Sequence, residues 1–242
     1  MFQNNTHRIK IYQDFKNNVH SIAKKNKIMK RHIMFSILFV LTSISTFSQE
    51  SHWKFVKETK GVKVYFRTVA NSNLNEVKIL TTFNSNLSTI VEALKDVNAY
   101  NEWVYKATYS YIVKEFNAYE MEYYNKFNFP FPLDDRDVVI HSKIQQNPQT
   151  KVLTSVSYAK LDIVPDNRNV VRIKDFHSKW TFIAKNNLVY GEYIFKSNPG
   201  GNIPIWLINL SLDEGPIKTI QNFKQQLQLE KYAKTNNLNI LN

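Results

Sequence analysis

NPGGNIPIWLINLSLDEGPIKTIQNFKQQLQLEKY, residues 198–232, decides how the rest of the chain must fold. Its opening Asn198-Pro199-Gly200-Gly201-Asn202 cannot extend a strand, and Pro204 stands where the first turn of a helix tolerates a missing N–H. Beyond it Ile203, Trp206, Leu207 and Leu210, then Ile217, Ile220, Phe223 and Leu227, recur at steps of three and four. That spacing gathers them on one side of a helix, and an apolar side needs a cover. Gly215-Pro216 interrupts the pattern. Because Pro216 removes a ladder bond and crowds the preceding turn, the sequence predicts a kinked helix rather than a straight one.

The cover lies upstream. Residues 61–69 (GVKVYFRTV) alternate β-branched and aromatic side chains, and Asn71-Ser72-Asn73 turns the chain into residues 74–83, a hairpin. Ser85-Asn86 cap a short helix in which Ile90, Val91, Leu94 and Val97 recur at helical spacing, ending at Asp96-Val97-Asn98; residues 100–103 make a second short turn. Strand signal then fills residues 105–116, 118–129, 136–146, 151–158, 170–184 and 188–197. The breaks are Asn117, Pro130-Phe131-Pro132, Asn147-Pro148, Pro165-Asp166-Asn167 and Asn186-Asn187, short enough to join antiparallel neighbours. The resulting fold class is α+β: one curved antiparallel sheet wrapped around a long C-terminal helix. No repeat or linker divides the chain, so residues 50–232 read as a single domain and 233–242 as a tail.

The first 28 residues are polar and rich in Asn and Lys, the pattern of a disordered tail or of a start codon placed too early. Met29 opens a better start. Lys30-Arg31, the apolar run 33–41 and the small residues Thr46 and Ser48 compose a signal peptide over residues 29–48. The alternative, a membrane anchor, is short of the roughly 20 apolar residues a span requires. The expected location is therefore exported, periplasmic. Of the formal net charge of +12, residues 1–48 supply eight basic side chains against Asp14, which leaves +5 for the mature part. That is no phosphate-tracking stripe, so nucleic acid is not an expected partner, whereas weak attraction to an anionic membrane surface remains open. The absence of cysteine excludes disulfides, thiolate metal sites and cysteine nucleophiles.

Sixteen Phe and 13 Tyr exceed what two packed layers usually need, and inward Tyr hydroxyls require partners. Core packing accounts for most of them; a cavity with apolar walls and a few hydroxyls accounts for the surplus. Gly61-Val-Lys-Val-Tyr65, Asp96 with Tyr100-Asn-Glu-Trp103, Pro132 with Asp135-Arg136-Asp137, Val171-Arg172 and Asn198-Pro-Gly-Gly-Asn-Ile-Pro204 occur in an order that resembles the START family of lipid-transfer domains, over residues 53–227. The resemblance implies a helix-grip fold of the START and Bet v 1 kind, enclosing a tunnel for one hydrophobic molecule. It also implies a gate formed by the loop 159–169, with Leu161, Ile163 and Pro165, and by the C-terminal helix.

Where sterol-carrying members place an acid and an arginine inside the tunnel, the matching positions here are Tyr123 and Ser142, so cholesterol specificity does not carry over. The candidate ligand contacts are the polar Tyr123, Asn125, Ser142, Ser155 and Tyr193, the walls Met121, Phe127, Ile140 and Phe195, and Trp206 and Leu210 on the helix. Trp103 and Trp206 serve equally well as core, and Trp180 has no assigned place. Trp103, Arg136, Asp137 and Arg172 are structural motif residues. The acids around Arg136 read as a surface pairing network rather than a cation cage, with Arg136–Asp137 pinning a strand start beneath the Pro130–Pro132 bend. His52, His141 and His177 lack metal-ligand spacing, and neither a nucleophile elbow nor a phosphate loop is present, so no cofactor or metal is expected.

The expected function is non-catalytic binding and transfer of a lipid or other hydrophobic small molecule by a monomer that touches membranes transiently. Two alternatives stand beside it: a cyclase/aromatase-like enzyme on the same fold, and an interaction domain with a filled core.

Overall fold

The computed structural model describes residues 52–69, 74–204, 208, 213–233 and 240–241. The chain divides into two compact units, Met1–Glu50 and Ser51–Asn242, and the described residues lie in the second. They form a ten-stranded sheet in the order β1-β2-β3-β10-β9-β7-β6-β5-β4, with β8 beside β6. The strands are β1 (Lys54–Thr59), β2 (Val62–Thr68), β3 (Asn75–Phe83), β4 (Ala107–Asn117), β5 (Glu120–Phe127), β6 (Asp135–Gln146), β7 (Leu153–Lys160), β8 (Val170–Arg172), β9 (Asp175–Lys185) and β10 (Leu188–Asn198). All pairings are antiparallel except β6 with β8. Local chemistry sets the hairpins. Asn186 and Asn187, both at positive φ, make the two-residue β9–β10 turn, and Lys60-Gly61 does the same between β1 and β2.

Among the described residues four α-helices join the sheet: α1 (Leu87–Lys95), α2 (Tyr100–Trp103), α3 (Glu214–Gln226) and α4 (Glu230–Ala233). Asn86 caps α1 as expected, its side chain accepting from the Thr89 N–H at 2.8 Å. The helix-facing side of the sheet carries Val64, Ile79, Phe83, Ile140, Leu153 and Phe182, which join Ile217, Ile220, Phe223 and Leu227 of α3 in one core. Phe223 sits edge-on to Phe83 at 5.7 Å and against Trp103 at 4.6 Å, so α3 lies over this inner face.

In the C-terminal stretch Ile208 is helical, its N–H donating to the Pro204 carbonyl at 3.2 Å, and α3 starts at Glu214 and gives way at Leu227. Pro216 occupies the first turn of α3, where its missing N–H has no helical partner, and the kink expected there falls partly on residues outside the described ones. Residues 205–207 and 209–212, with Trp206 and Leu210, lie outside the described residues. The strand expected over 170–184 is two strands, because β8 leaves the path to pair with β6 and Ile173-Lys174 re-aims the chain. The sheet also gains β1, an exposed edge strand whose two faces do not alternate.

Candidate functional site

Register settles which side chains share the inner face. On β5, Met121, Tyr123, Asn125 and Phe127 point one way; opposite them on β6 are Ser142, Ile140, Val138 and Arg136. Ser142 pairs with Ser157, Ser157 with Ser178, and Ser178 with Phe195, a row running across four strands. Beside it Ser155 pairs with Trp180 and Trp180 with Tyr193. The described members of the expected contact set thus share one face. Trp180, unplaced from sequence, is their neighbour, stacked on Tyr193 at 4.4 Å and on Phe182 at 4.9 Å. Ser157, Ser178 and Tyr100 were missed, because strand pairing between segments remote in sequence leaves no spacing signal.

The inner hydroxyls bond one another. Ser157 donates to Ser142 at 3.0 Å. Tyr123 donates to Tyr100, which donates to the Leu94 carbonyl at 2.6 Å. Burial pushes the Tyr100 and Tyr123 hydroxyls well above the usual phenol value, and pushes Tyr193 up to about 12 although Ser178 donates to it. Among the described residues, three buried side-chain polar atoms have no partner: Trp103 Nε1, Ser110 Oγ and Asn125 Oδ1. Trp180, Tyr193, Ser142 and Phe127 lie on the helix-facing side and keep partial exposure.

The Arg136–Asp137 motif is buried, which corrects the expected surface network: both residues are under 3% exposed. Alternation along β6 sends them to opposite faces. Arg136 donates to the Asp134 carbonyl, to those of Pro199 and Gly200 at 3.3 Å each, and lies over the Phe129 ring. It therefore ties the end of β10 to the start of β6. Gly201, at φ +70°, passes so close that an added Cβ would come within 3.1 Å of the guanidinium. Asp137 receives Arg172 Nε at 2.6 Å and Nη2 at 3.1 Å, with Tyr124 and Asn167 also donating. Burial raises the Asp137 carboxyl, but Arg172 and the other donors outweigh it and hold it below the usual carboxylate range.

Arg172 also donates to the Val164 and Pro165 carbonyls, at 3.0 and 3.2 Å. The expected gate loop therefore has two parts: Pro165 is tied to the sheet, whereas Leu161 and Ile163 are 46% and 39% exposed. A cleft of about 470 Å³ opens beside it, lined by Asp166, Val171, Arg172, Lys174, Asp175, Asn198, Gly200 and Gly201. On the outer face His141 lies between Glu120 and Glu122, at 3.1 and 3.5 Å. Among the described residues no cluster of His, Asp or Glu side chains is arranged to hold a metal ion.

A sheet laid over a C-terminal helix, with apolar and hydroxyl side chains between them, defines a helix-grip protein. The chain belongs to the START domain family, whose model matches residues 46–232. It is similar to a STAR-related lipid transfer protein of Xanthomonas axonopodis, 28% identical with a TM-score of 0.69, the match covering 73% of this chain and 99% of that one. The phosphatidylcholine transfer protein of Bos taurus is 27% identical, over 72% of this chain and 86% of its own. An uncharacterized protein, PA1579, of Pseudomonas aeruginosa is also 27% identical, over 71% of this chain and 85% of that one. Lipid binding and transfer are the general role of this family.

Proposed function

We propose that this chain is a non-catalytic carrier that encloses one lipid or similar hydrophobic molecule between its inner sheet face and the C-terminal helix, and exchanges it at a membrane surface. The observation that carries the reading is the partial exposure of Trp180, Tyr193, Ser142 and Phe127 on the helix-facing side of the sheet. Apolar walls with a few hydrogen-bonding groups suit a long apolar molecule with a small polar end. The ionisable side chains bonded there are tyrosines whose hydroxyls burial has raised, poor material for acid–base work near neutrality, which favours a carrier over a cyclase. Exit is by displacement of the exposed tip at Leu161 and Ile163, with the anchored half at Pro165 as its hinge support. The basic and apolar leader of residues 29–48 supports export to the periplasm, and the carrier acts as a monomer.

Native mass spectrometry of protein purified from its own envelope fraction tests this directly. A bound mass released on unfolding, together with an N-terminus near residue 49, is the expected result. A bare chain that also takes up no lipid from labelled vesicles defeats the carrier reading.

A further inference from the structure

We infer that the cleft beside the gate loop is a second binding site, for a zwitterion that carries an oxyanion and a primary ammonium a few bonds apart, as an aminoethyl phosphate does. The cleft, of about 470 Å³, shares no residue with the inner contact set, so its ligand is not the enclosed cargo and the site stands apart from the carrier reading. Three stretches remote in sequence build it. Lys174 and Asp175 come from the start of β9 and Asn198 from the end of β10, where Asp175 and Asn198 are register partners. Gly200 and Gly201 follow β10 and lie against Val171 of β8. Asp166 of the gate loop and Arg172 close the other side.

What each polar group already bonds decides the ligand. Arg172 spends its three nitrogens on Asp137, Val164 and Pro165, and Asp175 pairs with Lys196 at 3.3 Å. Lys174 is exposed and has no ion-pair partner among the described residues. Asn198 Oδ1 accepts from the Gly200 N–H at 3.0 Å, which leaves the amide NH2 to donate. Across from these donors the Asp166 side chain is 74% exposed, its carboxylate 3.4 Å from Arg172 Nη1. An anion alone meets Asp166 and a cation alone meets Lys174, whereas a molecule with both ends satisfies both walls. A primary ammonium donates to a carboxylate; a trimethylammonium has no N–H to give. Arg136 independently places the oxyanion. Its guanidinium is 2% exposed, bonds the carbonyls of Asp134, Pro199 and Gly200, and has no carboxylate within ion-pair distance among the described residues. It lies directly behind the cleft floor, since a Cβ on Gly201 would come within 3.1 Å of Nη2. A buried positive charge without a counter-ion attracts an anion across one layer of glycine backbone with little water to screen it. The oxyanion therefore sits over Gly200-Gly201 against Lys174 and Asn198, and the ammonium reaches Asp166, so that the ligand bridges the gate loop and the end of β10.

The test titrates the full chain calorimetrically with four soluble probes: phosphoethanolamine, phosphocholine, inorganic phosphate and ethanolamine. Phosphoethanolamine is expected to bind about tenfold tighter than each of the others, the scale of one charge-assisted hydrogen bond. Lys174→Ala should lower its affinity about tenfold, and Asp166→Ala should erase the preference over phosphocholine. Both side chains are exposed, so both variants keep the fold. The same group occurs on free compounds and on the headgroup of a lipid seated in a bilayer, and sedimentation with vesicles separates the two sources. Capture by phosphatidylethanolamine vesicles over phosphatidylcholine ones, lost in Lys174→Ala, upholds the site and assigns the bilayer headgroup. Binding of the soluble probe without such capture upholds it and assigns a free compound. Phosphoethanolamine that binds in neither form, phosphate or phosphocholine that binds equally well, or an affinity unchanged in Lys174→Ala overturns the inference. Each of these outcomes leaves the carrier reading intact, because that reading is decided by the mass released on unfolding.

Discussion

Asp137 shows how much one residue holds. It is 1% exposed, and its carboxylate is met by Arg172, Tyr124 and Asn167. Asp137→Asn leaves the buried Arg172 charge with only the exposed Asp166 beside it, at 3.4 Å, and the expected loss is about 3 kcal/mol in urea unfolding. The pH dependence follows in sign. A carboxyl held below its unfolded value stabilises fully above that value, about 3.9, and the stabilisation disappears as the pH falls through the lower folded one. Wild-type melting temperature should therefore drop on acidification below about pH 4, and Asp137→Asn should show a flatter profile from a lower start; parallel profiles would contradict this assignment. Gly191 is a second sensitive residue, because an added Cβ would lie 2.7 Å from the Phe83 ring, itself wedged against Trp180 and Phe182. Gly191→Ala is expected to cost about 1–3 kcal/mol through overpacking, and unchanged urea unfolding would show that the ring can move aside. Neither position was legible for this role. Asp137 and Arg172 are 35 residues apart and Gly191 meets Phe83 across a long-range strand pair, so the partner of each is fixed by register alone.

At the scale of elements, the strands were readable where one face is buried and the other wet, since alternation then appears in the sequence. β1, exposed along its length, carries no such signal, and the 170–184 run hid a change of partner between β8 and β9. The apolar stripe runs through both sides of Asp213 in the sequence, whereas the described α3 begins at Glu214. The loop 161–169 belongs at this scale too, because its behaviour is set by what ties it to the sheet. Arg172 holds Val164 and Pro165 by their carbonyls, and Asn167 donates to Asp137. Local opening draws on weakly held segments, so the tip at 161–163 should exchange amide hydrogens fast and residues 164–170 slowly. Arg172→Lys loses the forked donor geometry, and hydrogen exchange over 164–170 should rise toward that of the tip, with faster release of bound lipid. Equal exchange rates for tip and anchored half in the wild type would remove the two-part gate.

At the scale of the whole molecule, three exposed apolar groups gather at one end of the sheet. Phe131, 96% exposed, lies in the connection that enters β6, and the 161–169 loop leaves β7 where Lys160 pairs with Val139, only four residues into β6. Leu161 and Ile163 are therefore on the same end as Phe131, which is also where Arg136 ties β6 to Pro199 and Gly200. An apolar ring held in water gains by entering a bilayer interface, and partial burial of a phenyl group corresponds to about tenfold in partition. A carrier that unloads by contact should depend on that end, whereas one that releases cargo into water should not. Phe131→Asp, far from the inner face, is expected to bind lipid as the wild type does but to partition onto vesicles about tenfold less. Its transfer rate between donor and acceptor vesicles should fall by a similar factor and lose its dependence on acceptor concentration. Wild-type partition and transfer in this variant would mean that this end does not meet the membrane, and that cargo leaves through water or through another face of the fold.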